Sequence, residues 1–338
     1  MKSVKIADVA AAAGVSVATA SKALNGTDRV SKETVKRVQA VAKQLGYTPN
    51  LAARMLPCRC KTIGILTPDE PEPRIIYGQF HRGLAEAMEE YSCFGYRAEM
   101  MTYSREKDKE SFPRCMHNLA ERCNGLILIP SYHVDEYISC AAKLKIPTVS
   151  LQLASDNNIC PCVMIDEWMI GRIAGEFLSI AAPGKETAVI AGDSGMPIHR
   201  RNIEGFRQEI TGNGMTLAAV EDSFGDSTRT YELTGQLLKA HPNLGSIFVS
   251  TYTAPSVCTY LKEHGLAGQV KVVGVSVNDA TADCLRDGSL AAALYQNQRL
   301  QARRGVELLL AIMQGKPHRN CLIFRPELVL RSNIEYYL

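Results

Sequence analysis

The residues best suited to covalent chemistry are Gly192-Asp193-Ser194-Gly195, a sequence found around the nucleophile of some serine proteases, with His199 close behind. Those proteases are antiparallel barrels, whereas this stretch follows an apolar run in a chain that alternates strands with helices. The sequence has no GxxxxGK phosphate loop, HExxH zinc motif, GxSxG elbow, or GxGxxG after a strand. We therefore expect a protein that is not an enzyme and needs no cofactor.

A second possible chemistry belongs to cysteine, of which the chain has 11. Two pairs lie close in sequence: Cys58 with Cys60, and Cys160 with Cys162. Neither has the two-residue gap, the second pair or the histidines that structural zinc requires. An odd number of cysteines spread along the chain does not indicate a disulfide framework either. We expect free thiols and no metal site, with redox control at the first pair as the alternative.

A third chemistry, recognition of nucleic acid, fits residues 4–25, VKIADVAAAAGVSVATASKALN. Their pattern predicts two short helices separated by Gly14, because a residue without a Cβ enters a tight turn at the lowest cost. Ser16 is placed to cap the second helix. Slim residues at its start would let the backbone approach the DNA major groove, and the polar groups that follow can hold phosphates. These residues are Val17, Ala18, Thr19, Ser21, Lys22 and Asn25.

The distribution of charge favours the same chemistry over an ordinary alanine-rich hairpin. Residues 1–61 contain 11 lysines and arginines against three acidic side chains, whereas the rest of the chain contains 27 basic and 32 acidic ones. A cationic amino-terminal segment is typical of a nucleic-acid-binding module. The start of the chain lacks an apolar leader, and no apolar stretch approaches the ~18 residues of a membrane span. We therefore expect a cytoplasmic protein.

Two further helices are predicted before residue 60. Apolar residues recur at helical spacing after Ser31, which indicates a third helix packed across the first two. Residues 50–56 then form a short helical stretch, with Asn50 as its cap and Pro57 as its end. A helix of this length is marginal in water on its own, so it requires a partner. The alternative is a bare linker.

From Lys61 the pattern changes to short apolar strands followed by helical stretches, which predicts parallel sheets with both faces covered. The fold class is thus an all-α helix-turn-helix headpiece followed by an α/β core of two lobes. Nine strands are predicted, at 62–67, 97–103, 125–130, 148–151, 187–191, 215–220, 246–250, 271–275 and 290–295.

Ligands of open parallel sheets bind beyond the carboxyl ends of the strands, so the residues after each strand are the candidates for a binding site. Tyr77 could add an aromatic face on which a sugar ring stacks. The rule selects Thr67, Pro68, Ser131, Tyr132, Gln152, residues 193–199, Thr251, Tyr252 and residues 276–278.

The amino-terminal pattern resembles the lac repressor (LacI/GalR) family of bacterial transcription regulators. The similarity lies in the GVS turn, VATxSKxLNG, VSKETVKRVQAVAKQLGYTPN and NLAARML, with Ala20 where the family usually has a larger β-branched residue. It implies a headpiece at 1–49, a hinge helix and linker at 50–60, and a periplasmic-binding-protein-like core at 61–338. The implied crossings between lobes lie near 159–165, 296 and 324–326, so one lobe is 61–160 with 296–325 and the other is 161–295 with 326–338.

The resemblance also implies roles for single residues. Val17, Ala18 and Lys22 would contact base edges, while Thr19, Ser21 and Asn25 would contact phosphates. In a dimer, the paired hinge helices would enter the minor groove, where Leu56 wedges between base pairs and Ala53 allows the helices to approach closely.

In the core, the resemblance points to the cleft between the lobes. Relatives carry an arginine where this chain has Asn202, so Arg200 or Arg201 could replace it, and Asn278 could replace an aspartate that the chain lacks. Gln296 matches the family, and Gln152 stands where some sugar binders have aspartate. The result is a cleft rich in amides, which suits a neutral sugar or polyol, although the two arginines leave a phosphorylated ligand possible.

The sequence therefore predicts a homodimeric transcription regulator that represses carbohydrate-use genes. It would bind a pseudo-palindromic operator and respond to a small sugar-like effector. The alternative is a DNA-binding regulator whose core docks a protein co-regulator and binds no metabolite.

Overall fold

The computed structural model of the chain describes residues 4, 6–24, 30–45, 60–69, 77–104, 107–130, 134–152 and 160–338. The chain divides into two compact units, one amino-terminal and one that holds both sheets. Several predicted site residues lie outside the described residues. These are Asn25, Ala53, Leu56, Ser131 and Tyr132, together with Cys58 and almost all of the predicted hinge.

The described part of the amino-terminal unit contains three helices: α1 (Ile6–Ala12), α2 (Val17–Leu24) and α3 (Lys32–Gln44). Gly14, between the first two, has a φ of +63°, a conformation that side chains with a Cβ rarely adopt. The Ser16 side chain accepts a hydrogen bond from the Thr19 amide at 3.1 Å and caps α2. Ser31 caps α3 in the same way through the Thr34 amide at 3.3 Å. The sequence predicted the glycine turn, the Ser16 cap and a third helix that begins after Ser31.

Small side chains fill the centre of this unit. Ala20 is fully buried between the helices, although the resemblance led us to note that a larger residue is usual there. Because alanine occupies little space, the helices pack through a core of short side chains: Val9, Ala10, Ala13, Ala20, Ala23, Val38 and Ala42.

The first sheet of the larger unit has six parallel strands with helices on both faces. Its strands are β1 (Lys61–Pro68), β2 (Tyr96–Tyr103), β3 (Gly125–Leu128), β4 (Thr148–Leu151), β5 (Cys162–Ile165) and β11 (Cys321–Phe324). They lie in the order β11-β5-β4-β3-β1-β2. Apolar clusters join one face to α4 (Gly78–Ser92) and α12 (Gln298–Met313), and the other to α5 (Asp108–Arg122) and α6 (Val134–Lys143).

The second sheet repeats this plan with one antiparallel edge strand. Its strands are β6 (Glu186–Ala191), β7 (Thr216–Asp222), β8 (Leu244–Val249), β9 (Lys271–Gly274), β10 (Ala292–Tyr295) and β12 (Glu327–Val329). The order is β12-β10-β9-β8-β6-β7, with β12 antiparallel to β10. One face packs on α7 (Glu167–Ala181) and α8 (Pro197–Gly212), and the other on α9 (Ser227–Ala240), α10 (Ala254–Glu263) and α11 (Asp279–Asp287).

All nine predicted strands overlap strands of the structure, but three strands were missed: β5, β11 and β12. Each has only three or four residues, which is too short for a periodic pattern to identify it, and β5 is also buried throughout. The prediction assigned β5 to a crossover and ended the first lobe at residue 160. The strand Cys162–Ile165 still pairs in the first sheet, so the chain leaves that lobe only after it. The chain passes between the two sheets again after β10 and after β11.

The described cysteines are free thiols, including both members of the second close pair. Cys160 and Cys162 do not share a partner. The Cys160 thiol lies 3.5 Å from the Thr148 carbonyl oxygen, whereas the Cys162 sulfur lies 3.1 Å from that of Cys321 on the adjacent strand. Within the described ranges, no group of three histidine, cysteine or acidic side chains is arranged to hold a metal ion.

None of the helices described by the structure is long and apolar enough to cross a membrane.

Candidate nucleic-acid interface and ligand cleft

Helix α2 presents one face to the interior of its unit and another to solvent. Ala20 and Ala23 are buried, whereas Val17, Ala18 and Lys22 are exposed. Because successive residues of a helix are about 100° apart, these three exposed side chains fall within one sector of the helix. The structure therefore brings together the three residues predicted to contact base edges.

Of the two described phosphate candidates, Ser21 lies within this exposed face and Thr19 lies at its edge. Ser21 is partly exposed, and so is Thr19, whose hydroxyl lies 2.8 Å from that of Ser16 at the start of the helix. This hydroxyl pair and the first-turn amides lie at the positive end of the helix dipole, a position that favours phosphate.

The larger unit contains a cleft of about 880 Å³ at the carboxyl ends of strands from both sheets. Residues that directly follow a strand form much of its wall, as the rule for open parallel sheets predicts. The lining residues are Tyr77, Gln152, Glu167, Gly192, Asp193, Met196, Ile198, His199, Asn202, Phe224, Gly225, Ser250, Thr251, Tyr252, Val275, Ser276, Gln296 and Gln298.

Among the residues that the sequence singled out for an effector, Tyr77, Gln152, Asn202, Tyr252 and Gln296 line this cleft. They come from separate parts of the chain, so only folding brings them together. Gln152 has a φ of +72°, which is uncommon for a residue with a side chain. Such strain is tolerated where the surrounding structure fixes the backbone, and it is common at binding sites.

Four others, namely Thr67, Asn278, Arg200 and Arg201, do not line the cleft. Thr67 is buried, with its hydroxyl 3.0 Å from Nε2 of His81. Asn278 caps α11 by accepting a hydrogen bond from the Thr281 amide at 3.0 Å. The other two, Arg200 and Arg201, are exposed on α8.

The geometry of α8 explains why the arginines miss the cleft. His199 and Asn202 are three residues apart, so they project from the same face of the helix, and both line the cleft. Arg200 and Arg201 lie between them in sequence and therefore project from other faces. No lysine or arginine is found among the lining residues that the structure describes.

His199 is neutral at physiological pH in this environment. The side chain is 9% exposed, and its burial lowers the pKa to about 4. Nδ1 lies 3.3 Å from the Ser250 hydroxyl. Ser194, the nucleophile of the protease alternative, instead donates its hydroxyl to Asp222 at 2.8 Å. The Ser194–His199 contact that a catalytic triad requires is therefore replaced by two separate hydrogen bonds.

Aromatic side chains occur on several sides of the cleft. Tyr77 is almost buried, while Phe224 is 62% exposed. The Tyr252 hydroxyl donates to the Gly225 carbonyl at 2.6 Å, which fixes its ring against the loop after β7. Rings held in this way offer flat apolar faces suited to the C–H faces of a sugar.

Glu167 is the most important lining residue that the sequence analysis did not identify. It is the first residue of α7 and is only 7% exposed. Burial raises the pKa of its carboxyl to about 8, and nearby Asp166 adds to the rise, while Asn202 and Arg201 oppose it. Glu167 follows β5, so the signal that could have found it was the strand that went unrecognised. Phe224 and Gly225 were missed because the residues after the seventh strand were not considered.

Comparison with known proteins identifies both parts of the chain. Residues 5–50 match the model for bacterial regulatory proteins of the lacI family, and residues 66–317 match that of a periplasmic binding protein domain. Catabolite control protein A of Priestia megaterium is 30% identical over 256 residues, which cover 73% of this chain and 74% of that protein.

Two solved structures have the same fold along nearly the whole chain. The complex of the transcriptional regulator CelR with cellobiose has a TM-score of 0.68 at 22% identity and covers 97% of this chain and 98% of that one. The lac repressor dimer bound to operator and an anti-inducer has a TM-score of 0.69 at 22% identity, with the same coverage. The lacI-type headpiece, the binding-protein core and the 30% identity with catabolite control protein A together show that the chain belongs to the lacI family of bacterial regulatory proteins.

Proposed function

We propose that this protein is a cytoplasmic, homodimeric repressor of carbohydrate-use genes, and that an uncharged sugar or polyol in its cleft controls its binding to a pseudo-palindromic operator. Family membership supports the regulatory role. CelR bound to cellobiose and the lac repressor dimer bound to operator are similar proteins whose ligands agree with it. The protein acts by binding, and the bonding of Ser194 and His199 to other partners argues against turnover.

The side chains of the cleft wall are the observation that supports an uncharged effector. Four amide side chains line it, namely Gln152, Asn202, Gln296 and Gln298, and its ionisable groups are acidic or are held neutral by burial. A phosphate or carboxylate would enter without a cationic partner among the described lining residues, which is costly. Arg200 and Arg201, which could have bound a phosphorylated ligand, are not among these lining residues, and this supports the choice of an uncharged one. An open cleft of this size also favours a small molecule over a protein co-regulator.

On the DNA side, we propose that Val17, Ala18 and Lys22 contact base edges, with Thr19, Ser21 and Asn25 at phosphates. The resemblance adds Leu56 as the wedge between base pairs and Ala53 at the contact between hinge helices. A sugar that changes the relative orientation of the lobes would alter the separation of the two hinges. Allosteric coupling of about 1 to 3 kcal/mol would change operator affinity roughly 5- to 150-fold.

Thermal unfolding of the full chain tests the effector class. The probes are D-glucose, D-ribose, maltose, cellobiose and myo-inositol, with glucose 6-phosphate as the anionic comparison. A neutral probe at about 100 times its Kd should add about 2.7 kcal/mol of stability, while the phosphate should add none. Gln296→Ala should reduce the effect, and Gln269→Ala, on the exposed surface, should not. Stabilisation by the phosphate alone would contradict the proposal.

Replacement of Lys22 tests the DNA contact. If Lys22 reads a base, Lys22→Ala should cost about 1 to 3 kcal/mol and relax the preference at one base pair only. Lys36→Ala, at an exposed position of α3, is the matched control and should not change base preference. Uniform weakening on all sequences would make Lys22 a phosphate contact.

A further inference from the structure

Two helices of the second sheet cross so closely that they leave room only for glycine. A Cβ added to Gly171 of α7 would collide with the backbone of Asn202 and Phe206, and one added to Gly205 of α8 would collide with the Trp168 carbonyl. This crossing lies about one turn from the start of α7. This close packing of α7 on α8 places Glu167, the first residue of α7, next to Asn202 at the wall of the cleft.

The Asn202 side chain has an unused hydrogen-bond acceptor. Its Oδ1 is buried, the residue is 2% exposed, and no donor to this atom is present among the residues that the structure describes. A buried amide oxygen without a partner is destabilising. Because Asn202 lines the cleft, a hydroxyl group of a bound molecule can supply the missing donor.

The surroundings of Glu167 favour its neutral form. The N-cap residue of its own helix, Asp166, repels a negative charge, and Asp193 and His199 line the same cleft. A hydrogen bond from the Asn202 side chain and the exposed Arg201 of α8 favour the charged form, but burial outweighs both. Residues that follow β8 and β9 contribute uncharged groups to this wall, namely Ser250, Thr251, Tyr252, Val275 and Ser276.

We propose that Glu167 and Asn202 form a proton-dependent recognition pair, in which the neutral Glu167 carboxyl donates a hydrogen bond to an oxygen of an uncharged sugar or polyol and Asn202 Oδ1 accepts one from a ligand hydroxyl. This rests on the proposed function, since it assigns part of the effector specificity to these two residues. A ligand that expels water from the cleft makes an ionised carboxylate there still more costly. The pair therefore selects neutral ligands and rejects anions.

The direction of the pH effect follows from the raised pKa of Glu167. Below its pKa of about 8, the carboxyl is neutral and sugar affinity is complete; above it, the donor is lost. One unit above the pKa, the neutral fraction has fallen about tenfold, so the affinity should be about tenfold lower at pH 9 than at pH 7. Glu167→Gln keeps a donor at both pH values and should bind with little pH dependence.

Calorimetric titration of the full chain with the neutral probes above, at pH 7 and pH 9, tests this pair. The comparison is between wild type, Glu167→Gln and a control, Glu204→Gln. Glu204 lies on α8 and is exposed. We expect the tenfold loss in wild type and control but not in Glu167→Gln. If that variant does not fold, a wild-type affinity that is flat or rises toward pH 9 still contradicts the inference. Equal pH dependence in all three proteins contradicts this inference alone, whereas no binding of any neutral probe at either pH contradicts the proposed effector as well.

Discussion

Two pairs of helices, one packed on each sheet, cross closely at glycine residues, but the polar groups beside the two crossings differ. In the second sheet, α7 and α8 approach through Gly171 and Gly205; in the first, α4 approaches α12 through Gly83, whose Cβ would collide with the Arg299 carbonyl. In both places a missing side chain lets backbones approach closely. The difference lies in the polar groups that each crossing aligns.

The α4–α12 crossing aligns exposed ion pairs, and the α7–α8 crossing aligns buried groups. Arg303 and Glu90 are 2.6 Å apart, with side chains 40% and 51% exposed. Exposed pairs of this kind contribute little to stability because water and salt screen them. Glu167, by contrast, is buried at a cost that packing alone does not require. The first crossing therefore aligns exposed ion pairs, whereas the second holds a buried carboxyl, to which we assign a role in effector binding.

The largest expected effect comes from closing the gap between α7 and α8. Gly171→Ala places a Cβ against the backbone of α8, which cannot move aside as a side chain can, so we expect a loss of about 3 kcal/mol in the free energy of unfolding. Gly212→Ala is the matched control, since that position on α8 has open space around it and alanine favours a helix. Urea denaturation measures both. Equal stabilities would mean that the crossing is not tightly packed.

Gly83→Ala should lower the stability of the fold without changing the binding of sugar. The added Cβ meets the Arg299 carbonyl, so a loss of stability comparable with that of Gly171→Ala is expected. Measured well below the unfolding temperature, the sugar affinity and its pH dependence should remain those of the wild type. A changed pH dependence would remove the distinction between the two crossings.

Asn202→Ala should weaken sugar binding with a smaller effect on folding. The variant removes the acceptor for a ligand hydroxyl, which then loses its partner inside the cleft, and this costs about 1 to 3 kcal/mol of binding free energy. Gln208→Ala, exposed on the same helix, should bind normally. Calorimetry gives both affinities, and an unaffected Asn202→Ala would exclude the residue from the site.

The smallest effects should come from the ion pairs themselves. Arg172 and Glu209, across α7 and α8, are 2.6 Å apart and partly buried, so Arg172→Met should lower stability by about 1 kcal/mol. Arg303→Met should leave the unfolding temperature within experimental error at moderate salt. Calorimetric scans of the two variants decide this, and a larger effect for Arg303→Met would reverse the comparison.

The same two crossings show how far sequence reasoning reaches. The alternation of apolar strands with helical stretches predicted the α/β plan of the core, and the strand-end rule selected Gln152 and His199 from the linear pattern. Glu167 was missed because a four-residue buried strand has no recognisable period, and the rule was never applied to the residues after it. The arginines were kept as candidates because sequence spacing does not show which face of a helix meets the cleft. In the headpiece, local caps and a glycine turn dictate the structure, so that prediction succeeded.

Selection of binding sites from randomised duplexes by the intact protein, with and without the sugar that most stabilises it, tests the central claim most directly. We expect enrichment of a pseudo-palindromic motif with half-sites about one helical turn apart, and at least a fivefold change in affinity for that motif when the sugar is added. Failure to enrich any motif under either condition would contradict the account.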